Sequence, residues 1–309
     1  MSWIALFGGL ESGLIYAIVA LGVYISFRVL DFPDLTADGS FPLGGAVCAV
    51  CLVAGWNPWL AMGLAMVAGA AAGMITAWLH VSLKILQLLA SILMMTALYS
   101  INLHVMHNSP NVPLLGVDSI FTPFVTPDNG MWMRVLVIGM IGLLCKFLLD
   151  WFFSTETGLA MRATGVNQRM AQAQGINASR LTIMGMAISN ALIALGGAIF
   201  VQTQGGADIS SGIGTIVIGL AAVIIGETLI PAKRMLWITL SVIIGAVLFR
   251  LFIQMALGSE TLRSIGFGPQ DVNLVTALLV VLVLVLPQIQ NKLRPKRRSL
   301  GAKTLQGNH

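Results

Sequence analysis

The sequence predicts an all-α polytopic membrane protein with about nine transmembrane segments, and three observations carry that prediction. Of its 309 residues, 57% are hydrophobic and only 9% are charged, where soluble domains sit near half apolar and a quarter charged. The apolar residues gather into segments of about 20, the length that crosses the hydrocarbon core as a helix. The 33 glycines suit helices that pack closely in lipid.

In chain order the apolar segments run 3–27, 40–56, 59–80, 84–106, 131–153, 180–203, 212–230, 234–257 and 272–290. The first has no basic stretch before it and no A-x-A site after it, so it reads as a retained span rather than a signal peptide. Residues 1–290 form one membrane domain and 291–309 a basic cytoplasmic tail. Basic residues orient the chain. With the N-terminus outside, Arg28, Lys84, Lys146, Arg162, Arg169, Arg180, Lys233, Arg234 and the six basic residues from Lys292 onward are cytoplasmic. Only Arg134, Arg250 and Arg263 then fall in outer halves or loops, a ratio of 14 to 3 that the opposite orientation would invert. The expected arrangement is N-out, C-in. The net charge of +5 needs no nucleic-acid partner, because cytoplasmic retention explains the basic cluster between Lys292 and Arg298.

The second and seventh segments are short or interrupted, and each follows a polar approach: DFPDLTADGSFPLGG before the second, QGGADISSGIG before the seventh. Both approaches contain Ala-Asp-x-Ser, at 37–40 and 207–210. Two similar halves separated by an odd span must be inverted, so four spans, one span and four spans form an inverted repeat with two short or broken segments. Two outer loops are long: residues 107–130, whose prolines predict an irregular or polyproline-like course, and residues 258–271.

Several chemistries are excluded. A phosphate-binding loop needs GxxxxGK[ST], and no Gly-Lys pair occurs, so any ATPase that drives the chain is a separate subunit. There is no HExxH motif and no metal-ligand constellation; His104 and His107 sit at a helix end beside the outer loop. Cys48 and Cys51 form a CxxC inside an apolar helix without a second pair, which reads as small packing residues. No catalytic residue, cofactor or metal is expected. The spacings Gly9/Gly13 and Gly69/Gly73 predict close helix contacts.

Glu11, Asp38, Asn190, Asp208 and Arg250 are the polar groups expected within or beside the membrane. Glu11 lies about 12 Å into the first span at 1.5 Å per residue, where an acid is costly and functional by default. Arg250 reaches a comparable depth from the eighth span. The pair either fixes packing as an ion pair, the preferred reading, or lines a conduction path. Asn190 fits an interhelical hydrogen bond.

The longest polar interval between apolar segments is Thr155–Asn177. Gly158, Met161, Ala163, Gly165, Ala171, Ala173 and Gly175 put small and apolar residues on one side of a short helix, and Arg162 and Arg169 share a face. Gly165 permits a break between two helical pieces, Asn167 can cap the second, and Gly175 is a natural C-cap. A side built from Ala, Met and Gly fits a protein groove better than lipid headgroups.

At these residues the chain resembles the permease subunits of ATP-binding cassette importers of the branched-chain amino-acid and ribose type. The matching positions are Gly158, Arg162, Ala163, Gly165, Asn167, Gly175 and Ile176, joined by Gly219–Gly226. The run Asp34-Leu35-Thr36-Ala37-Asp38-Gly39-Ser40-Phe41-Pro42-Leu43-Gly44 is similar to the tryptophan/tyrosine branch. The resemblance covers about residues 12–290. It implies a permease of a prokaryotic inner (plasma) membrane, surrounded by lipid and paired with a second permease copy as a homodimer. It also implies two cytoplasmic ATPase subunits and an extracytoplasmic substrate-binding protein, with a small solute such as an amino acid as cargo. Residues 157–176 would hold the coupling helix, placing Gly158, Arg162, Ala163, Gly165, Asn167, Arg169 and Gly175 at the ATPase. The alternative is an ion-coupled secondary transporter that sets Glu11, Asp38 or Asp208 on the ion.

Overall fold

The computed structural model of the chain describes residues 3–124, 130–232 and 234–257, with seven single positions between 274 and 285. The ninth apolar segment apart from those positions, residues 258–271 with Arg263, Lys233 and the basic tail lie outside the described residues. The other eight segments are helices within a few residues of their expected bounds. They are α1 (Trp3–Tyr24), α2 (Ala37–Val53), α3 (Pro58–Leu83), α4 (Gln87–Val105), α5 (Gly130–Ser154), α8 (Ala178–Gln204), α9 (Thr215–Leu229) and α10 (Met235–Leu257). The polar stretch between α5 and α8 adds α6 (Glu156–Val166) and α7 (Gln168–Ala173). Among the described residues seven helices are long and apolar enough to cross a membrane, and α2, with 17 residues, is shorter.

Local chemistry sets the ends. Asn57 accepts a hydrogen bond from the Trp59 amide at 2.9 Å and Pro58 follows it, a cap with proline in the first turn. Asn177 caps α8 through the Arg180 amide at 3.2 Å, and Gly205 ends it at φ +73°, where a side chain would be strained. Beyond Tyr24, α1 continues as a π-helical turn, Ile25–Val29, a local widening that is uncommon in helices and frequent at functional sites.

Packing follows a two-fold plan. α1 lies on α9 and α10, whereas α8 lies on α2 and α3; α2 packs on α3 as α9 packs on α10. α1 and α8 cross at the centre, where Ser189 donates to the Gly22 carbonyl at 2.7 Å. Added as a β-carbon, a methyl on Gly22 would sit 2.6 Å from the Ser189 oxygen, so the two backbones touch. The GxxxG pairs act as expected. Gly13 lies flush on Val247 of α10 and Gly69 on the Asn190 backbone of α8, where a β-carbon would meet atoms at 3.0 and 2.5 Å respectively. The core at this crossing includes Ile18, Leu21, Ile199 and Ala222, all fully buried.

α5 stands at the periphery on α1, with Trp132, Leu136, Met140, Phe147 and Trp151 exposed. A buried ion pair ties it inward: Lys146 donates to Asp150 at 2.5 Å, and Thr239 of α10 donates to the other Asp150 oxygen at 2.7 Å. Lys146, expected at the cytoplasmic face, is thus held inside the bundle at 5% exposure.

The 107–130 loop departs from the irregular course expected of it. Asn111–Pro113 forms a strand, β1, that pairs antiparallel with β2 (Gly206–Asp208), Val112 opposite Ala207. Backbone groups that water would otherwise satisfy are paired across the two strands. Gln202 of α8 fastens the loop further by accepting from the Ile120 amide at 2.9 Å. Its amide nitrogen reaches the Cys48 sulfur at 3.4 Å, which leaves Cys48 as a packing residue.

Candidate functional site

The approach to α2 builds a buried polar network. Asp34 accepts from the Thr36 amide at 2.9 Å, a local turn that aspartate forms readily. Its other oxygen accepts from the Asn190 side chain at 2.8 Å. Asn190 in turn accepts from Ser40 at 2.7 Å, and Thr36 shares a hydrogen bond with Thr76 of α3 at 2.9 Å. All five side chains are fully buried. Asn190 is therefore the expected interhelical hydrogen-bonding residue, and it serves two partners rather than one. In a low-dielectric interior such a network specifies one arrangement, because losing one member leaves the others unpaired.

Four residues on, Asp38 reaches across the molecule. Its carboxylate accepts from the Ile216 amide at 2.9 Å and from the Gly214 amide at 3.3 Å. The first amides of a helix have no partner within it; here a side chain from the other half of the chain supplies one. The negative charge also complements the positive end of the α9 dipole. Two features let the halves come so close. Pro42 within α2 has no amide to bond the Asp38 carbonyl, and Gly212 lies against that opening, where a β-carbon would be 2.5 Å from the Pro42 ring. α2 has 17 residues, about 26 Å at 1.5 Å per residue, short of a hydrocarbon core of about 30 Å, and α9, with 15 residues, reaches spanning length only together with the turn before it, Ile209–Leu229. The start of α9 meets the start of α2 inside the bundle. The Ser211 and Thr215 hydroxyls at this junction are buried without a partner.

The two Ala-Asp-x-Ser copies behave differently. Asp208 is exposed and binds its own Ser210, at 2.7 Å to the amide and 2.6 Å to the hydroxyl. It caps a 3-10 turn (Ile209–Gly212) at the end of β2 and takes no part in the junction.

The Glu11–Arg250 pair is not made. Gly9 and Gly13 hold one face of α1 against α10, so Phe7 and Glu11, one turn apart on another face, turn toward α5. Phe7 packs edge-on to Trp132 at 4.3 Å, and Arg134 is the cation near Glu11. Arg250 instead places its guanidinium over the Tyr16 ring, 3.7 Å from its centre. Among the described residues the ion pairs are Lys146–Asp150 and Arg28–Glu227, the second joining the end of α1 to the end of α9. Sequence reading missed Asp34, Ser40, Thr76 and Tyr16 as parts of this region. The only advance signal was Pro33-Asp34 followed two residues later by Thr36.

At the basic end α6 and α7 form the expected pair of helices, with two corrections. Asn167, extended at φ −156° and ψ 94°, makes the break, and its side chain caps α7 through the Met170 amide at 3.0 Å. Gly165 stays helical. Its β-carbon would fall 2.8 Å from the Val29 carbonyl carbon, and that of Gly158 2.6 Å from Phe153 Cα. The small residues thus seat α6 on the chain's own π-helical turn and the end of α5, with Met161, Thr164 and Ala171 buried beneath. What faces outward is Leu159, Val166 and Met170 (52%, 88% and 64% exposed), with Ala163 and Arg169 also exposed and Arg162 half-buried. Arg162 and Arg169 lie on separate helices. Gly175 has φ +82° with open space around it, the left-handed C-cap expected.

Residues 5–286 match the family described as branched-chain amino acid transport system / permease component. The chain belongs to that family. A tyrosine transport system permease protein of Clostridioides difficile is 36% identical over 94% of this chain and 94% of its own. An uncharacterized protein of Rickettsia prowazekii is 32% identical over 89% of this chain and 95% of its own. The ribose import permease of Escherichia coli is 26% identical over 72% and 69% of the two chains. As a permease of the ATP-binding cassette class, with seven helices long and apolar enough to span among the described residues, this is a multi-pass protein of the bacterial inner membrane.

Proposed function

We propose that this chain is the permease of an ATP-binding cassette importer that carries an amino acid inward, driven by a separate ATPase seated on α6 and α7. An aromatic amino acid is the cargo that the tyrosine permease relative favours. The observation that carries the coupling is the two-sided build of this pair of helices: glycine contacts fix α6 to the ends of α1 and α5, while Leu159 and Val166 of α6 and Met170 of α7 are exposed. Exposed apolar side chains on an otherwise polar segment fit a protein groove, and a rigidly seated helix passes a push to both halves of the bundle. The residues named from the resemblance divide accordingly. Gly158 and Gly165 serve the internal seat, and Ala163, Asn167 and Arg169 lie on the outward side.

In this proposal the N-terminus is outside and the C-terminus in the cytoplasm, and the swap-symmetric packing of α1–α2–α3 and α8–α9–α10 supports an inverted repeat. A second permease copy and an extracytoplasmic binding protein complete the machine. Of the three carboxylates named for the ion-coupled alternative, two are engaged locally, Asp38 by two amides and Asp208 by Ser210.

Co-purification tests the coupling. Val166→Glu and Met170→Glu together should abolish recovery of the ATPase with the permease while the permease still inserts and unfolds at its normal temperature. Full recovery of the ATPase with that variant would defeat the proposal.

A further inference from the structure

A half-buried cation with no ion pair among the described residues stands out from the charge pairing of the bundle. Several carboxylates of the bundle have neighbours of their own: Asp150 has Lys146, Glu227 has Arg28, Glu11 has Arg134 as its nearby cation, Asp38 holds two amides, and Asp34 holds Thr36 and Asn190. Arg250 of α10 has no ion pair with any described residue, and its Nε is buried without a hydrogen-bond partner. An arginine placed inside a membrane domain is costly and marks a functional site by default. Its planar fork of donors matches a carboxylate in two parallel bonds.

The surroundings are aromatic. The guanidinium lies over Tyr16 at 3.7 Å, Tyr16 stacks on Phe41 at 5.8 Å, and Phe200 stands 5.4 Å from Phe41. The cluster also contains Ile216, whose amide is held by Asp38, so it adjoins the junction of the two short helices. One cation beside a set of ring faces is complementary to a small molecule that has a carboxylate and a ring.

Resting on the importer reading above, we propose that Arg250 holds the carboxylate of the solute in transit and that the Tyr16–Phe41–Phe200 faces take its aromatic side chain. In the present structure the rings are packed together, with Tyr16 4% exposed and Phe41 fully buried, while Arg250 is half-buried. The cation rests on the Tyr16 face, and solute entry exchanges that contact for a carboxylate.

The test uses the permease purified with its ATPase, without the binding protein, followed by thermal unfolding with four probes. L-Tyrosine and 3-phenylpropionate (ring and carboxylate, no amine) should each raise the midpoint by about 2 °C or more near saturation. Phenethylamine, which has the ring but no carboxylate, and D-ribose should not. Arg250→Gln should abolish both shifts. Arg250→Lys, which keeps the charge and loses the fork, should weaken the apparent Kd for 3-phenylpropionate about tenfold. If Arg250→Gln fails to assemble, the lysine variant decides alone, and an unchanged Kd overturns the assignment. So do equal shifts with phenethylamine, undiminished shifts in Arg250→Gln, or no shift in the native complex. ATP-driven uptake into proteoliposomes with the binding protein separates the two levels. Absent uptake of any solute counts against the importer reading, whereas uptake of ribose alone keeps that reading and sinks the carboxylate site.

Discussion

Gly165→Ala adds one methyl group to α6 where the Val29 backbone leaves no space for it. The new carbon would stand 2.8 Å from the Val29 carbonyl carbon and 3.2 Å from Leu30 Cα, where ordinary contact begins at 3.4 Å, and the Val29 oxygen is nearer still. Backbone atoms cannot rotate aside as a side-chain tip can, so α6 has to retreat by about 1 Å or more from the end of α1. Overpacking of this kind costs about 1–3 kcal/mol, and alanine returns up to about 1 kcal/mol of helix propensity. The net loss of stability is therefore small, about 1–2 kcal/mol, and the protein should still fold and bind its ATPase. Transmission should suffer more, because α6 no longer bears on the π-helical turn. The expected result in proteoliposomes is a fall of about tenfold in solute moved per ATP hydrolysed, on the precedent that displacements of about 1 Å cost large factors in function. Gly175→Asn is the matched control. Gly175 has open space and φ +82°, a conformation that asparagine tolerates, so transport should stay near the native level. A native transport-to-hydrolysis ratio in Gly165→Ala would refute the reasoning.

Asp38→Ala leaves the Gly214 and Ile216 amides without their acceptor and should cost about 2–4 kcal/mol, read as a lower unfolding midpoint with uptake lost; Asp38→Asn, which keeps one carbonyl oxygen, should lose less. Asn190→Leu strips partners from both Asp34 and Ser40 and should be the more damaging, about 3–5 kcal/mol, so poor recovery of folded protein from membranes is expected. Glu11→Gln should change stability by less than about 1 kcal/mol, since Glu11 faces Arg134 rather than Arg250; a collapse of the protein in that variant would restore the discarded ion pair.

The membrane class and eight of the helices were legible in the sequence because hydrophobic segment length is a local property, set by bilayer thickness and not by neighbours. The same holds for the caps: Asn167 and Gly175 act where their chemistry places them. The family signature between Gly158 and Ile176 located the basic-end helices, yet which side of α6 meets this chain and which meets solvent could not be read from it. A small residue permits close approach without naming the partner, and here the partner of Gly165 is Val29, far away in sequence.

Polar partnerships were the least legible. From depth alone Glu11 and Arg250 are natural mates, but depth fixes only one coordinate. The facing of α1, set by Gly9 and Gly13 on α10, turns Glu11 toward α5 and leaves Arg250 on Tyr16. Likewise Asp38 and Asp208 share a four-residue motif and differ in role, because only Asp38 lies where the starts of α2 and α9 meet. By itself the sequence determined that the chain spans a membrane, roughly where, and to which family it belongs. The tertiary structure decided which charges meet, which glycines form seats, and that among the described residues Arg250 meets the Tyr16 ring in place of an acid. Those outcomes depend on the rotation of each helix about its axis, which packing sets and composition does not.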